Sequence, residues 1–303
     1  MVERIMILGP TASGKSALAL RLATALDAEI LSVDSRQCYR MLDIGTAKPS
    51  PEELEEVPHY NISILDPDER DSVADFHPRA EKWIGEIHSR GKRVICVGGS
   101  TLHLQSLIRP PDPAPGSNEK HLEHLAERAE REGLKILWEE LRKVDPRYAE
   151  QMDGLNRQLI FRALDVWMQS NRPFSSFHTG SELQPPEEMR VYGLHWPRPD
   201  LHRRIEERAA RMLREGLIQE TQSILDAGYE ADLQSLQTVG YREAISHLNG
   251  RMGRGEMLEK IQTSTRRYAR RQLTWFRRWP FIHWMAGTED PSELVAEIVK
   301  DLS

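Results

Sequence analysis

The 303-residue sequence has only two cysteines, Cys38 and Cys96. That is too few for a disulfide framework or a cysteine-built metal cluster. No apolar run approaches the ~20 residues that a bilayer-spanning helix needs, so no membrane segment is expected. There is no internal repeat and no low-complexity tract. Met1-Val2-Glu3-Arg4 leads straight into a strand and leaves no room for a secretory leader, so a cytoplasmic protein is expected. An excess of basic residues is also missing. The net charge of -6 argues against a chain that coats nucleic acid indiscriminately, although a local basic surface stays possible. With 39% hydrophobic and 29% charged residues, the chain can bury a core and stay soluble.

Hydrophobic patterning predicts an α/β core. Strands are expected at Ile5–Leu8, Glu29–Val33 and Arg93–Val97, separated by helices over Ala17–Ala23 and Asp75–Ser89. Strands alternating with helices read as a parallel sheet with helices on both faces. Residues 50–60 are acidic and proline-marked and read as a surface connection. The run Pro110-Pro111-Asp112-Pro113-Ala114-Pro115-Gly116 marks a boundary, as does Pro185-Pro186. Between them lie helical patterns at Glu119–Arg131, Leu134–Lys143 and Asn156–Gln169 and no convincing strand. The organisation expected is a catalytic core of residues 1–112 and 187–303 with a helical insertion at 113–186. The second part of the core begins with a strand at Arg190–Trp196. Helices follow at Asp200–Glu215, Leu217–Ala227, Tyr241–Leu248 and Glu256–Arg278. A last strand, Phe281–Trp284, and a last helix, Ser292–Leu302, complete it.

The most informative stretch is Gly9-Pro10-Thr11-Ala12-Ser13-Gly14-Lys15-Ser16, set between a strand and a helix. This is the context a P-loop requires. Glycines let consecutive N–H groups converge on phosphate oxygens, and the helix N-terminus adds partial positive charge. Lys15 can reach a terminal phosphate and Ser16 can ligand Mg²⁺. Taken alone, the loop suggests ATP and phosphoryl transfer.

Asp34 follows the second strand, where open α/β sheets place their ligands. It can hold Mg²⁺ through water, act as a general base, or cap the segment that follows. Ser35 and Gln37 add polar groups in the same turn. The Gln37 amide can pair with a nucleobase edge or with backbone. Gly98-Gly99-Ser100-Thr101 ends the third strand and reads equally as part of the crevice or as a tight turn. Arg204, Arg208 and Arg211 share one helix face, and the sequence does not choose which of them meets a phosphate. Residues 263–279 hold six arginines and no acid, interleaved with Tyr268, Trp275, Phe276 and Trp279. Such a helix suits an RNA backbone, with aromatics free to pack or stack, or else it is a core helix with solvated arginines. The absence of acids, frequent elsewhere, favours RNA.

Together these stretches resemble the tRNA dimethylallyltransferase (tRNA isopentenyltransferase) family. The resemblance is carried by residues 9–16, Asp34-Ser35-Arg36-Gln37, Asp43-Ile44-Gly45-Thr46-Ala47-Lys48-Pro49 and Val97–Ser100. It continues through Arg162-Ala163-Leu164-Asp165-Val166, Val239-Gly240-Tyr241-Arg242-Glu243 and Arg270-Arg271-Gln272-Leu273-Thr274-Trp275-Phe276. It implies a P-loop-type sheet and transfer of a dimethylallyl group from dimethylallyl diphosphate to an adenine N6 in tRNA. The target adenosine lies immediately 3′ of the anticodon in tRNAs that read codons beginning with U. It implies Mg²⁺ and a monomer. By this resemblance the P-loop holds the donor's diphosphate, Thr11 and Arg208 contact the leaving group, and Asp34 takes the N6 proton. The implied tRNA contacts are Asp34, Ser35, Arg36, Gln37, Ser100, Gln158, Arg162, Gln237, Gly240, Tyr241 and Arg242. With Arg270 and Arg271 of the basic helix, the helical insertion would grip the anticodon stem-loop. The chain differs from the family pattern at Ser100, His103 and Leu159. Without a Cys/His extension after the core, it reads as the bacterial type. A small-molecule kinase would account for the P-loop and Asp34 but not the basic helix. An isopentenyltransferase acting on free adenylate would need neither that helix nor the insertion. An RNA-binding protein with a degenerate P-loop would not need intact Lys15, Ser16 and Asp34.

Overall fold

The computed structural model describes residues 3–178 and 183–302. The chain divides into two compact units, Met1–Pro110 with Leu183–Ser303, and Pro111–Glu182. In chain order the elements begin with β1 (Arg4–Leu8), α1 (Lys15–Leu26), β2 (Glu29–Val33), α2 (Pro51–Glu56), β3 (His59–Tyr60), α3 (Val73–Ser89), β4 (Val94–Gly98) and α4 (Thr101–Ile108). The second unit holds α5 (Glu119–Glu132), α6 (Leu134–Val144), α7 (Pro146–Glu150) and α8 (Arg157–Ser170). The first unit resumes with β5 (Met189–His195), α9 (Arg198–Glu215), α10 (Leu217–Asp226), α11 (Tyr241–Leu248), α12 (Arg254–Phe276), β6 (His283–Ala286) and α13 (Ser292–Asp301).

The six strands form one parallel sheet in the order β3-β2-β4-β1-β5-β6. Its inner strands are near-continuous apolar runs because both faces are covered. Side chains alternate between the faces with the period of two that a strand imposes. Met6 and Leu8 of β1 and Cys96 of β4 join Phe76, Ile84 and Leu104 on one face. Ile5 and Ile7 join Leu18, Leu22 and Ile298 on the other. A third cluster packs Cys38, Tyr39 and Leu42, just past β2, against Met212, Leu217, Tyr241 and Ile261. The loop carrying Asp34 is therefore anchored to the helical layer formed by α9 to α12. In the second unit, Leu125, Leu141, Ile160 and Leu164 close a core of their own.

Residues 50–60 are not merely a connection. Ser50 and Glu53 form a capping box that starts α2, and His59–Tyr60 pairs with β2 as an edge strand. A two-residue strand has no period that a sequence could reveal. The last strand begins two residues later than expected, because Ile282 turns into the core before pairing with β5 starts at His283. No helix among the described residues is long and apolar enough to cross a membrane.

Candidate active site

The P-loop joins β1 to α1 at the carboxyl end of the sheet. Gly14 sits at the N-cap of α1 with φ +89°, a left-handed conformation that a side chain would strain. No side chain caps this helix, so its first N–H groups keep their donor capacity. Ser13 Oγ is buried without a hydrogen-bond partner among the described residues. The loop is braced from outside. Trp196 Nε1 donates to the Ser13 carbonyl and Arg204 Nε to the Ala12 carbonyl, each at 2.9 Å. Thr11 N–H donates to Gln272 Oε1, and Gln272 Nε2 donates to the Gly99 carbonyl, both at 2.8 Å. One α12 side chain thus ties the P-loop to the end of β4.

The structure separates the three arginines of α9. Arg204 braces the loop, with its guanidinium 4.4 Å from the Trp196 ring centroid. Arg211 pairs with Glu215 on the exposed side. Arg208 alone of the three lines the crevice, and its Nη2 donates to the Thr46 carbonyl at 3.5 Å. Lys15 Nζ lies beside it and donates to the Pro10 carbonyl at 3.0 Å. Burial, and then the charge of Arg208, push the Lys15 ammonium down to about 8 against an opposing pull from Asp34. Arg208 is lowered for the same first reason, burial. Two cations crowded under protein are disposed to receive an anion.

Two cavities open here. The smaller, about 80 Å³, is lined by Lys15, Ser16, Gly98 and Gly99. The larger, about 300 Å³, has an apolar wall of Ile205, Met212, Val239 and Ile261 and a polar rim of Ser35, Arg36, Gln237, Arg242 and Arg271. Thr11, Asp34, Thr46, Arg208 and Tyr268 line both. Asp34 Oδ1 accepts from the N–H groups of Arg36 at 2.8 Å and Gln37 at 3.3 Å. The capping reading of Asp34 is therefore satisfied by one oxygen while the residue still faces both cavities.

Several expected RNA contacts have other roles. Gln37 accepts from Ser32 Oγ at 2.8 Å and donates to the Thr46 and Ala47 carbonyls, so its amide here holds backbone. Tyr241 is 0% exposed and donates to Glu220 at 2.6 Å, which removes it from any RNA surface. Gly240 is buried beside it, its N–H donating to Glu243. In the second unit, Arg162 donates to the Pro115 carbonyl at 2.6 Å and pairs with buried Asp165, pinning the start of that unit to α8. Gln158, one turn earlier, is exposed. Ser100 Oγ lies 2.8 Å from His103 Nδ1. Burial pushes the His103 imidazole down to about 4, so it is a neutral core residue beside Phe76.

Helix α12 has a buried face and an exposed basic face. Ala269, Gln272 and Phe276 face inward, while Arg267, Arg270 and Arg271 are exposed. Arg266 finds its acid on α9, donating to Glu206 at 2.9 Å. Thr46 and Gln272 lie within the motifs that carry the resemblance, which implies no role for either. Glu220 carried no signal beyond being a helical acid.

Residues 37–279 match the family model described as IPP transferase. The chain is 44% identical over 282 residues to a tRNA dimethylallyltransferase of Geobacter sulfurreducens, covering 93% of this chain and 91% of that protein. It is 43% identical over 296 residues to tRNA dimethylallyltransferase 1 of Trichlorobacter lovleyi, covering 97% of each. The crystal structure of the full-length tRNA isopentenylpyrophosphate transferase of Bacillus halodurans superposes with a TM-score of 0.73 at 35% identity, over 100% of this chain and 96% of that one. A eukaryotic dimethylallyltransferase crystallised acting on tRNA shares the fold, with a TM-score of 0.83 at 23% identity, over 99% of this chain and 79% of its own. With near-complete coverage in sequence and in fold, the chain belongs to the IPP transferase family, among the tRNA dimethylallyltransferases.

Proposed function

We infer that this chain transfers the dimethylallyl group of dimethylallyl diphosphate to N6 of adenosine 37 in tRNA. That base lies immediately 3′ of the anticodon in tRNAs reading codons that begin with U. The products are N6-(dimethylallyl)adenosine and diphosphate. The observation that carries this reading is the meeting of two unlike cavities at Asp34, Thr11 and Arg208. The smaller has the cations and helix N-terminus that suit a diphosphate. The larger has the apolar wall that suits a hydrocarbon and the polar rim that suits a nucleobase. A kinase would have no use for that wall.

The adenine amine is a weak nucleophile, so most of the enzyme's task is orientation. The base must leave the anticodon-loop stack to enter the larger cavity. Asp34, with one oxygen held by backbone, takes the N6 proton through the other as nitrogen attacks C1. The C1–O electron pair departs with the diphosphate. Lys15, Arg208 and the N–H groups at the start of α1 stabilise that growing charge. Ser16 lines the smaller cavity and offers the hard oxygen that Mg²⁺ prefers. Among the described residues no group of three acidic, imidazole or thiol side chains could hold a metal unaided, so the ion would depend on the substrate's phosphates. When bound, it supplies further charge neutralisation. Half-buried Arg36 and exposed Gln158, Gln237, Arg242, Arg270 and Arg271 remain for the tRNA, which a monomer would meet in the cytoplasm.

The test is incubation with radiolabelled dimethylallyl diphosphate and unmodified tRNA, with AMP and ATP as competing acceptors. Label in tRNA is the expected result. Label in AMP but not in tRNA overturns the reading.

A further inference from the structure

Five residues line both cavities, and four of them, Thr11, Asp34, Thr46 and Arg208, bring polar or charged ends to the neck. Only Tyr268 brings a broad carbon surface. If diphosphate occupies the smaller cavity and the prenyl chain the larger, which is the proposed function on which this rests, the bond that breaks lies at that neck. As C1–O cleaves, its electron pair leaves with diphosphate and the allyl fragment becomes electron-poor. In the productive outcome N6 bonds to C1 and its proton passes to Asp34. If water reaches C1 first, the products are dimethylallyl alcohol, diphosphate and a proton.

We propose that the Tyr268 ring is the wall of this neck, touching the allyl group and keeping water from C1 until the adenine amine is in place. Tyr268 is 36% exposed, so a substrate can reach it. It is also held in place. Gln272 lies one turn along the same face of α12, fastened to Thr11 and Gly99. The adjacent Ala269 packs with Leu201 and Ile205 of α9. The Arg271 guanidinium lies over the ring, 5.7 Å from its centroid. Burial, reinforced by Asp34, pushes the phenol up to about 12, so the ring is uncharged at any working pH. An aromatic face tolerates positive charge better than an aliphatic one does. Excluding water at this point suppresses the hydrolytic side reaction.

The experiment follows C1-labelled dimethylallyl diphosphate into two products, prenylated tRNA and dimethylallyl alcohol, for the unsubstituted enzyme and for Tyr268→Ala, Tyr268→Leu and Tyr268→Phe. In Tyr268→Ala the alcohol-to-tRNA ratio is expected to rise about tenfold or more. Tyr268→Leu falls between, and Tyr268→Phe, which keeps the ring, restores the ratio. An unchanged ratio with a raised KM for tRNA would make the ring a stacking platform for RNA and overturn the proposal. Equal loss in Tyr268→Phe and Tyr268→Ala would place the role in the hydroxyl and overturn it too. If the unsubstituted enzyme labels no tRNA, the underlying function falls and this inference with it. If it labels tRNA and the ratio is unmoved by any substitution, only the role of Tyr268 falls.

Discussion

Tyr241 donates its phenolic hydrogen to the Glu220 carboxylate at 2.6 Å, and that same carboxylate accepts from the backbone N–H groups of Asp43, Ile44 and Gly45. A side chain at Gly45 would collide with the Tyr241 ring, so the glycine permits the approach. This clamp fixes the loop whose next residue, Thr46, lines both cavities and accepts from Arg208. Tyr241→Phe removes one donor to a charged acceptor and is expected to lower stability by about 2 kcal/mol. Glu220→Ala frees three backbone donors as well and should lower kcat as Thr46 loses its position. Denaturant unfolding and steady-state kinetics check the pair. A normal kcat in a folded Glu220→Ala protein would show that the loop needs no clamp.

Asp34→Asn separates two roles of one side chain. The amide oxygen can still accept from Arg36 and Gln37, so the turn survives, but the group can no longer take a proton. Transfer should fall by about 100-fold or more, in the range general-base loss produces. Binding of tRNA, measured by filter retention, should stay within about twofold. A weakened tRNA complex that turns over normally at saturation would make Asp34 a contact and not a base.

Much of this architecture is legible in the sequence, for physical reasons that can be named. β1 after Arg4 and the whole of β4 are buried and therefore apolar, and the P-loop has glycine at Gly14, where φ is positive. What the sequence hides is orientation across elements. Arg204, Arg208 and Arg211 have equivalent spacing, and only the packing of α9 against the P-loop tells a brace from a crevice residue and an exposed pair. Gln37, Arg162 and Tyr241 sit in motifs beside residues expected to meet RNA, yet their polar atoms are satisfied inside the protein. A motif records that a residue is needed and does not record which partner needs it.

Diphosphate affinity should depend on pH through Lys15. Its ammonium titrates at about 8 in the free protein, held down by burial and by Arg208. A bound anion favours the charged form and raises that value, so binding above pH ~8 takes up a proton. Affinity is therefore fully present below about 8 and declines as pH rises through it. Calorimetric titration with inorganic diphosphate at pH 7 and pH 9, in buffers of different ionisation enthalpy, reads both the decline and the proton uptake. Equal affinity at the two values, with no uptake, would remove Lys15 from the site.

The α9 arginines form a graded series because one helix carries three environments. Arg211 pairs with Glu215 at 4.0 Å in solvent, and Arg211→Ala should change stability by no more than about 0.5 kcal/mol and leave kinetics intact. Arg204 holds the Ala12 carbonyl and covers Trp196, so Arg204→Ala releases the outside of the P-loop without removing a charge from the crevice. It should lower the melting temperature and weaken diphosphate binding through a looser loop. Arg208→Ala removes a cation from the neck itself. Its cost should appear in kcat, by about 100-fold or more, because charge grows on the diphosphate as C1–O breaks. Arg208→Lys should recover only part of that, since an ammonium lacks the planar fork. Equal kinetic losses in Arg204→Ala and Arg208→Ala, with equal loss of stability, would mean that Arg208 acts by holding the Thr46 loop and not by meeting the leaving group.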